Sequence, residues 1–173
     1  MPHALRIQEP NLLFHVLNRG NEKHEVFRSI ADFNYAKSLI QKYKPPFAIS
    51  LYFYVLMPNH VHFILETAKS KGISGFMHDF SLAYAHYYRK MYEGVGHVWQ
   101  SRYKAKFLEK DSYLLQCGQY IEENPVRAGL VEKPEDYPWS SCRAHKFGIF
   151  DPILDPCPYI VSNQVPIAKS AHE

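Results

Sequence analysis

Apolar and polar positions alternate with a period of two over residues 12–19 (LLFHVLNR), and Gly20 and Asn21 close the run with turn chemistry, which predicts a first strand. From Ala31 to Lys44 the period changes. Phe33, Ala36, Leu39, Ile40 and Tyr43 recur at three and four residues, behind Ser29 as a cap and ahead of Pro45-Pro46 as a stop, which predicts a helix. Residues 47–56 are rich in β-branched and aromatic side chains, and HVHFILE follows from His60 after the short link Met57-Pro58-Asn59, so the two runs read as a hairpin. Ile73, Phe76, Met77, Phe80, Tyr84, Tyr87, Tyr88 and Met91 trace one helical stripe, ended by Gly94 and Gly96. The chain returns through WQSRYKAKFLE, alternating from Tyr103 to Leu108 as a fourth strand. Asp111 or Ser112 then caps a further helix with the stripe Leu114, Cys117 and Ile121, interrupted at Pro125.

The predicted fold is therefore α+β: a ferredoxin-like βαββαβ sheet, an additional helix, and an irregular C-terminal tail. Beyond Gly129, prolines at 134, 138, 152, 156, 158 and 166 forbid long regular elements. The expected organisation is one domain over residues 1–146 and a tail over 147–173. Two helices cover one sheet face, and the other is left for the extra helix, the tail or a ligand. This fold hosts enzymes and nucleic-acid binders alike, so function has to come from a site.

Composition narrows the field. The 173 residues suit one domain with a core, and 46% hydrophobic with 21% charged residues excludes a collagen-like or wholly disordered chain. The longest nearly apolar stretch, Phe47 to Met57, is far below the roughly 18–20 residues of a membrane span. MPHALRIQEP lacks the basic start and apolar core of a secretory signal, so a cytoplasmic location is expected. Cys117, Cys142 and Cys157 are too scattered for a disulfide framework or a zinc cluster. A net charge of +3 names no polyanionic partner, but 13 tyrosines supply rings either for packing or for stacking on unpaired bases.

The period of two sends His60, His62 and Ile64 to one face of their strand and Val61, Phe63 and Leu65 to the other. Two imidazoles on one face can grip a divalent ion and leave positions open for substrate oxygens, although a chance His-x-His is easy in a chain with 10 histidines. Tyr120 and Asn124 lie one helical turn apart, so a carboxamide could ligate the ion whose substrate the phenol attacks. Spacing alone favours the plainer alternative, in which Tyr120 packs and Asn124 caps. Trp99, Gln100, Arg102, Tyr103, Lys104 and Lys106 interleave rings and cations as a single-strand groove would, and Asn18-Arg19-Gly20 could meet a phosphate at a strand end. A solvated sheet edge is the commoner fate of both kinds of run.

Several motifs in fixed order add to this: HVLNRG at 15–20, YVLMPNHVHFILE at 54–66, GHVWQSRYKAKF at 96–107, YIEENPVRAGLV at 120–131 and YPWSS at 137–141. Through them the chain, over about residues 11–145, resembles the single-tyrosine transposases of the HUH class, and most closely the REP-associated tyrosine transposases of bacteria. The resemblance implies an enzyme that cuts and rejoins single-stranded DNA beside a hairpin through a 5′-phosphotyrosine link. On the matching positions it implies His60, His62 and Asn124 as ligands of Mg²⁺ or Mn²⁺ and Tyr120 as nucleophile. The candidate DNA contacts are Asn18, Arg19, Trp99, Gln100, Arg102, Tyr103, Lys104 and Arg127. A hairpin-binding regulator without cleavage and an HUH replication initiator or relaxase are the competing readings. Monomer and homodimer are both compatible with the sequence.

Overall fold

The computed structural model describes residues 10–93, 96–109 and 112–159. Its strands are β1 (Leu13–Arg19), β2 (Ile49–Met57), β3 (His60–Thr67) and β4 (Lys104–Leu108), and its helices are α1 (Ile30–Tyr43), α2 (Gly72–Tyr92), α3 (Ser112–Glu122), α4 (Asn124–Arg127) and α5 (Cys142–Phe147). The strands form one antiparallel sheet in the order β2-β3-β1-β4. This is the ferredoxin-like arrangement that the βαββαβ order predicts. Ser29 caps α1 through a reciprocal box with Asp32, as the sequence suggested. β2 begins at Ile49 rather than Phe47, because Pro45–Phe47 make a 3-10 turn and Ala48 turns the chain with a φ of 49°. The proposed cap at Asp111 and helix stop at Gly94 lie outside the described residues.

Each sheet face has its own core. On one, Phe14, Val16, Val61, Phe63 and Leu65 meet the apolar stripes of α1 and α2, including Phe33, Ile40, Phe76, Phe80 and Tyr84. On the other, Leu13, Ile64, Phe53, Val55 and Leu108 meet Leu114 and Ile121 of α3. β2 is covered on both sides, which is why it reads as a nearly continuous apolar run instead of an alternating one. A register shift between Leu51 and Phe53 adds a residue there, so Tyr52 and Phe53 both serve the α3 face.

The Pro-rich region after Gly129 supplies no long element, but it closes the outer edge of β2. Leu56 N–H donates to the Trp139 carbonyl at 2.8 Å, Ser141 N–H to Tyr54 at 3.0 Å, and Asp155 N–H to Leu51 at 2.8 Å. Asp151 accepts from the Tyr54 hydroxyl at 2.6 Å and from the Lys37 ammonium at 3.0 Å, and Ile153 enters the α1–α2 core. An exposed row of strand donors and acceptors is thereby satisfied by the chain's own C-terminal segment.

Candidate active site

Residues opposite each other in an antiparallel pair share a face. Leu17 opposes His62 and Arg19 opposes His60, while across β4 Lys104 opposes Leu17 and Lys106 opposes His15. His15, His62 and His60, with Arg19, Lys104 and Lys106, therefore stand on the α3 face of the sheet. The two histidines of the predicted pair pack edge to face with centroids 5.0 Å apart. Beside them the His15 ring lies nearly coplanar with His62, with centroids 5.0 Å apart and His15 Nε2 2.8 Å from His62 Nδ1.

Both members of the pair are neutral imidazoles at neutral pH. Burial, followed by the Arg19 charge, lowers His60 to about 4. Burial, then His60, His15, Arg19 and Arg127, lowers His62 to about 3. Burial and then Lys106 also lower His15. A neutral imidazole keeps a lone pair for an ion. The Asn59 amide fixes which nitrogen of His60 has it. Asn59 Nδ2 donates to the Lys23 carbonyl at 3.3 Å, so its Oδ1 accepts from His60 Nδ1–H at 2.5 Å, leaving Nε2 unprotonated.

α3 carries Tyr120 across this face. The helix lies so close to β2 that a Cβ on Gly118 would stand 2.4 Å from the Phe53 ring, and only glycine permits that approach. Pro125 then breaks the helix, and α4 restarts it with proline in its first turn. The guanidinium of Arg127 folds back over the Tyr120 ring at 3.9 Å and donates to the Tyr120 carbonyl, and Asn124 Nδ2 reaches the same oxygen at 3.5 Å. The Tyr120 side chain is 53% exposed, and so accessible to a macromolecular substrate. Behind it, buried Glu122 accepts from Ser141 Oγ at 2.5 Å and His145 Nδ1 at 2.6 Å, tying α3 to α5.

Among the described residues, no three His, Cys, Asp or Glu side chains gather as a metal cluster. A third protein ligand beside His60 and His62 would thus be a different donor, and the Asn124 side-chain carbonyl is one.

The predicted DNA-contact residues fall into two groups. Arg19, Lys104 and Arg127 are exposed, and the first two share the histidine face. Asn18 points the other way: it is 4% exposed and its Nδ2 donates to Ser81 Oγ on α2 at 3.1 Å. Asn18 and Arg19 therefore present no joint surface, as neighbours in a strand alternate between faces. The room beside Gly20 is taken by the His24 carbonyl and Val26 rather than left open for a phosphate. Trp99 donates its indole N–H to the Ser81 carbonyl at 3.0 Å and packs on Phe80 and Tyr84, so its ring is half committed to the α2 core. With Asn18, Gln100, Arg102 and Tyr103 it lines a groove of about 630 Å³ along α2. Sequence reasoning missed His15 as a partner of His62 and the Glu122 tie, for both depend on long-range register. The equal parity of His15 and Leu17 was the only local signal.

A family model described as IS200-like transposase matches residues 8–124. Among solved structures, a REP-associated tyrosine transposase bound to a REP hairpin superposes with a TM-score of 0.71 at 19% identity, covering 94% of this chain and 96% of that one. A candidate transposase from Deinococcus radiodurans follows at 0.47 and 19% identity over 71% of this chain and 97% of that one. A bacterial tRNA(His) guanylyltransferase-like protein in complex with GTP stands at 0.47 and 16% over 78% and 75%. No curated protein sequence matches the chain.

Proposed function

Given that this chain belongs to the IS200-like transposase family and is an enzyme of the transposase type, we propose that it cleaves and rejoins single-stranded DNA beside hairpins of repeated extragenic palindromes, with Tyr120 as nucleophile. One observation carries the reading. The Arg127 guanidinium that lies 3.9 Å over the Tyr120 ring is also among the charges that depress His62. The phenol and His62 thus lie within the field of one cation, although they come from different elements. The 0.71 superposition on a hairpin-bound tyrosine transposase supports the fold part of the reading.

In this mechanism His60, His62 and the Asn124 carbonyl oxygen would hold Mg²⁺ or Mn²⁺. This donor set can take such an ion: both imidazoles are neutral, the His60 tautomer frees Nε2, and the Asn124 carboxamide adds the oxygen donor that Mg²⁺ and Mn²⁺ favour. Bound there, the ion would polarise the scissile phosphate and offset the charge that develops on it. The Tyr120 oxygen attacks phosphorus and loses its proton, the bond to the 3′ oxygen breaks, and that oxygen takes up a proton as a 3′-hydroxyl. The new 5′-phosphotyrosine ester conserves the bond for rejoining, when a 3′-hydroxyl attacks it in reverse. Arg127 holds the helix end that carries the phenol, by bonding to its carbonyl and stacking on its ring. Arg19, Lys104 and Lys106 supply cations for backbone phosphates on the same sheet face.

The test is incubation with a single-stranded hairpin oligonucleotide and Mn²⁺, followed by denaturing electrophoresis for a covalent protein–DNA band. An adduct supports the transposase mechanism. Tight binding without an adduct would make the protein a non-cleaving hairpin regulator.

A further inference from the structure

His15 lies in the inner strand β1 with its ring half-buried against His62, in a contact that spans 47 positions of sequence. A nitrogen-to-nitrogen distance of 2.8 Å needs one proton between the two atoms, so one ring donates and the other accepts. Lys106 stands opposite His15 and Arg19 opposite His60, so a further positive charge between the rings would face cations on both sides. Two neutral arrangements remain. If His15 Nε2–H donates, His62 Nδ1 is occupied as acceptor and its proton sits on Nε2, which leaves the ring no lone pair to offer. If His62 Nδ1–H donates, His62 Nε2 is unprotonated and can bind an ion.

We propose that His15 is a positioning residue that accepts the Nδ1 proton of His62 and so fixes His62 in the tautomer and ring plane whose Nε2 takes the divalent cation. The parallel with His60 is direct. There the Asn59 carboxamide oxygen accepts the Nδ1 proton and leaves Nε2 as the free nitrogen. Each histidine of the pair would then be oriented by one neutral acceptor, from the adjacent residue for His60 and from the neighbouring strand for His62. With 26° between the ring planes and centroids 5.0 Å apart, the contact lies close to the plane of both rings, as an N–H···N bond requires. The inference rests on the reading of His60 and His62 as ligands.

Two measurements test it. In metal-free, ¹⁵N-histidine-labelled protein at neutral pH, long-range ¹H–¹⁵N correlation should report His62 protonated on Nδ1 and bare on Nε2. A proton on Nε2 would overturn the proposal, whatever the protein does with metal. Second, His15→Phe keeps an aromatic ring in the strand but removes the acceptor, and should weaken Mn²⁺ binding by about 10–100-fold while hairpin affinity holds. His15→Gln, which restores a carbonyl acceptor, should recover a large part of that affinity. Unchanged Mn²⁺ affinity in His15→Phe would also overturn it. If His15→Phe fails to fold, the tautomer in the parent protein decides alone. If Mn²⁺ leaves the His60 and His62 resonances of the parent unbroadened, the ligand reading fails, and with it the role proposed for His15.

Discussion

Replacing Gly118 with Ala adds one methyl group to the surface by which α3 rests on β2. That carbon would stand 2.4, 2.6 and 2.7 Å from three atoms of the Phe53 ring, whereas carbons in ordinary contact are about 3.5–4.0 Å apart. The ring cannot swing clear, being 4% exposed and packed against the His145 ring at 4.5 Å. The helix must therefore lift by about 1 Å. Two effects on stability oppose each other. Ala is favoured over Gly inside a helix by about 1 kcal/mol, and overpacking costs about 1–3 kcal/mol, so the net destabilisation lies between zero and about 2 kcal/mol. Catalysis has no such offset, because Tyr120 rides two residues further along and a displacement of about 1 Å costs on the order of 100-fold. Gly118→Ala should thus lower single-turnover adduct formation by about 100-fold with a small shift in the urea midpoint and an unchanged hairpin affinity. Phe53→Leu in the same chain shortens the opposing ring and should restore most of the rate. Full activity in Gly118→Ala, or a defect that Phe53→Leu leaves untouched, would refute the reasoning.

His60→Ala and His62→Ala should each abolish Mn²⁺-dependent cleavage while hairpin binding persists, since affinity comes from phosphate and stacking interactions; full cleavage by either variant in chelator would contradict this. Neutralising Arg102 and Lys104 together should flatten the salt dependence of single-strand binding by about 0.7 in slope for each phosphate that is no longer neutralised, and parallel titrations for variant and parent would assign both side chains to the solvated edge. Stability should fall in acid: unfolded histidines protonate near 6.5, but His60 and His62 in the fold take up protons only near 4 and 3. The unfolded state then binds more protons as pH drops below about 6.5, and each histidine removes up to about 1.4 kcal/mol per pH unit. Denaturation midpoints at pH 7 and pH 5 check this, and a His60→Ala/His62→Ala double variant should have a shallower slope.

Much of this architecture is written locally. The helical stripe is buried from Ile73 to Tyr84, although Met91 at its end is exposed, and the period of two in HVHFILE puts His60 and His62 on one face, so α2, β3 and that shared face follow from period alone, even though both faces of β3 are covered. What is missing depends on pairing between distant segments. The antiparallel register that brings His15 beside His62 joins strands far apart in sequence, and no local pattern encodes it. The bulge between Leu51 and Phe53 hides in a strand that is apolar on both faces. Trp99 reads as a free stacking ring until the return segment is seen to pair with Gly20 and turn the indole onto Ser81. Pro-rich composition excludes long regular elements after Gly129, but it says nothing of where that segment docks, and the edge of β2 is settled only in three dimensions. The opposite orientation of Asn18 and Arg19 is a different matter, since strand alternation alone implies it.

On this mechanism Tyr120, among 13 tyrosines, is the residue that becomes joined to DNA. The most direct measurement is peptide mapping by mass spectrometry of the adduct trapped on a single-stranded hairpin oligonucleotide with Mn²⁺. The nucleotide should be found on Tyr120 alone, and Tyr120→Phe, which keeps the ring under Arg127 and removes only the hydroxyl, should fold, bind the hairpin and form no adduct. A nucleotide on Tyr113, or on any tyrosine other than Tyr120, would contradict the account.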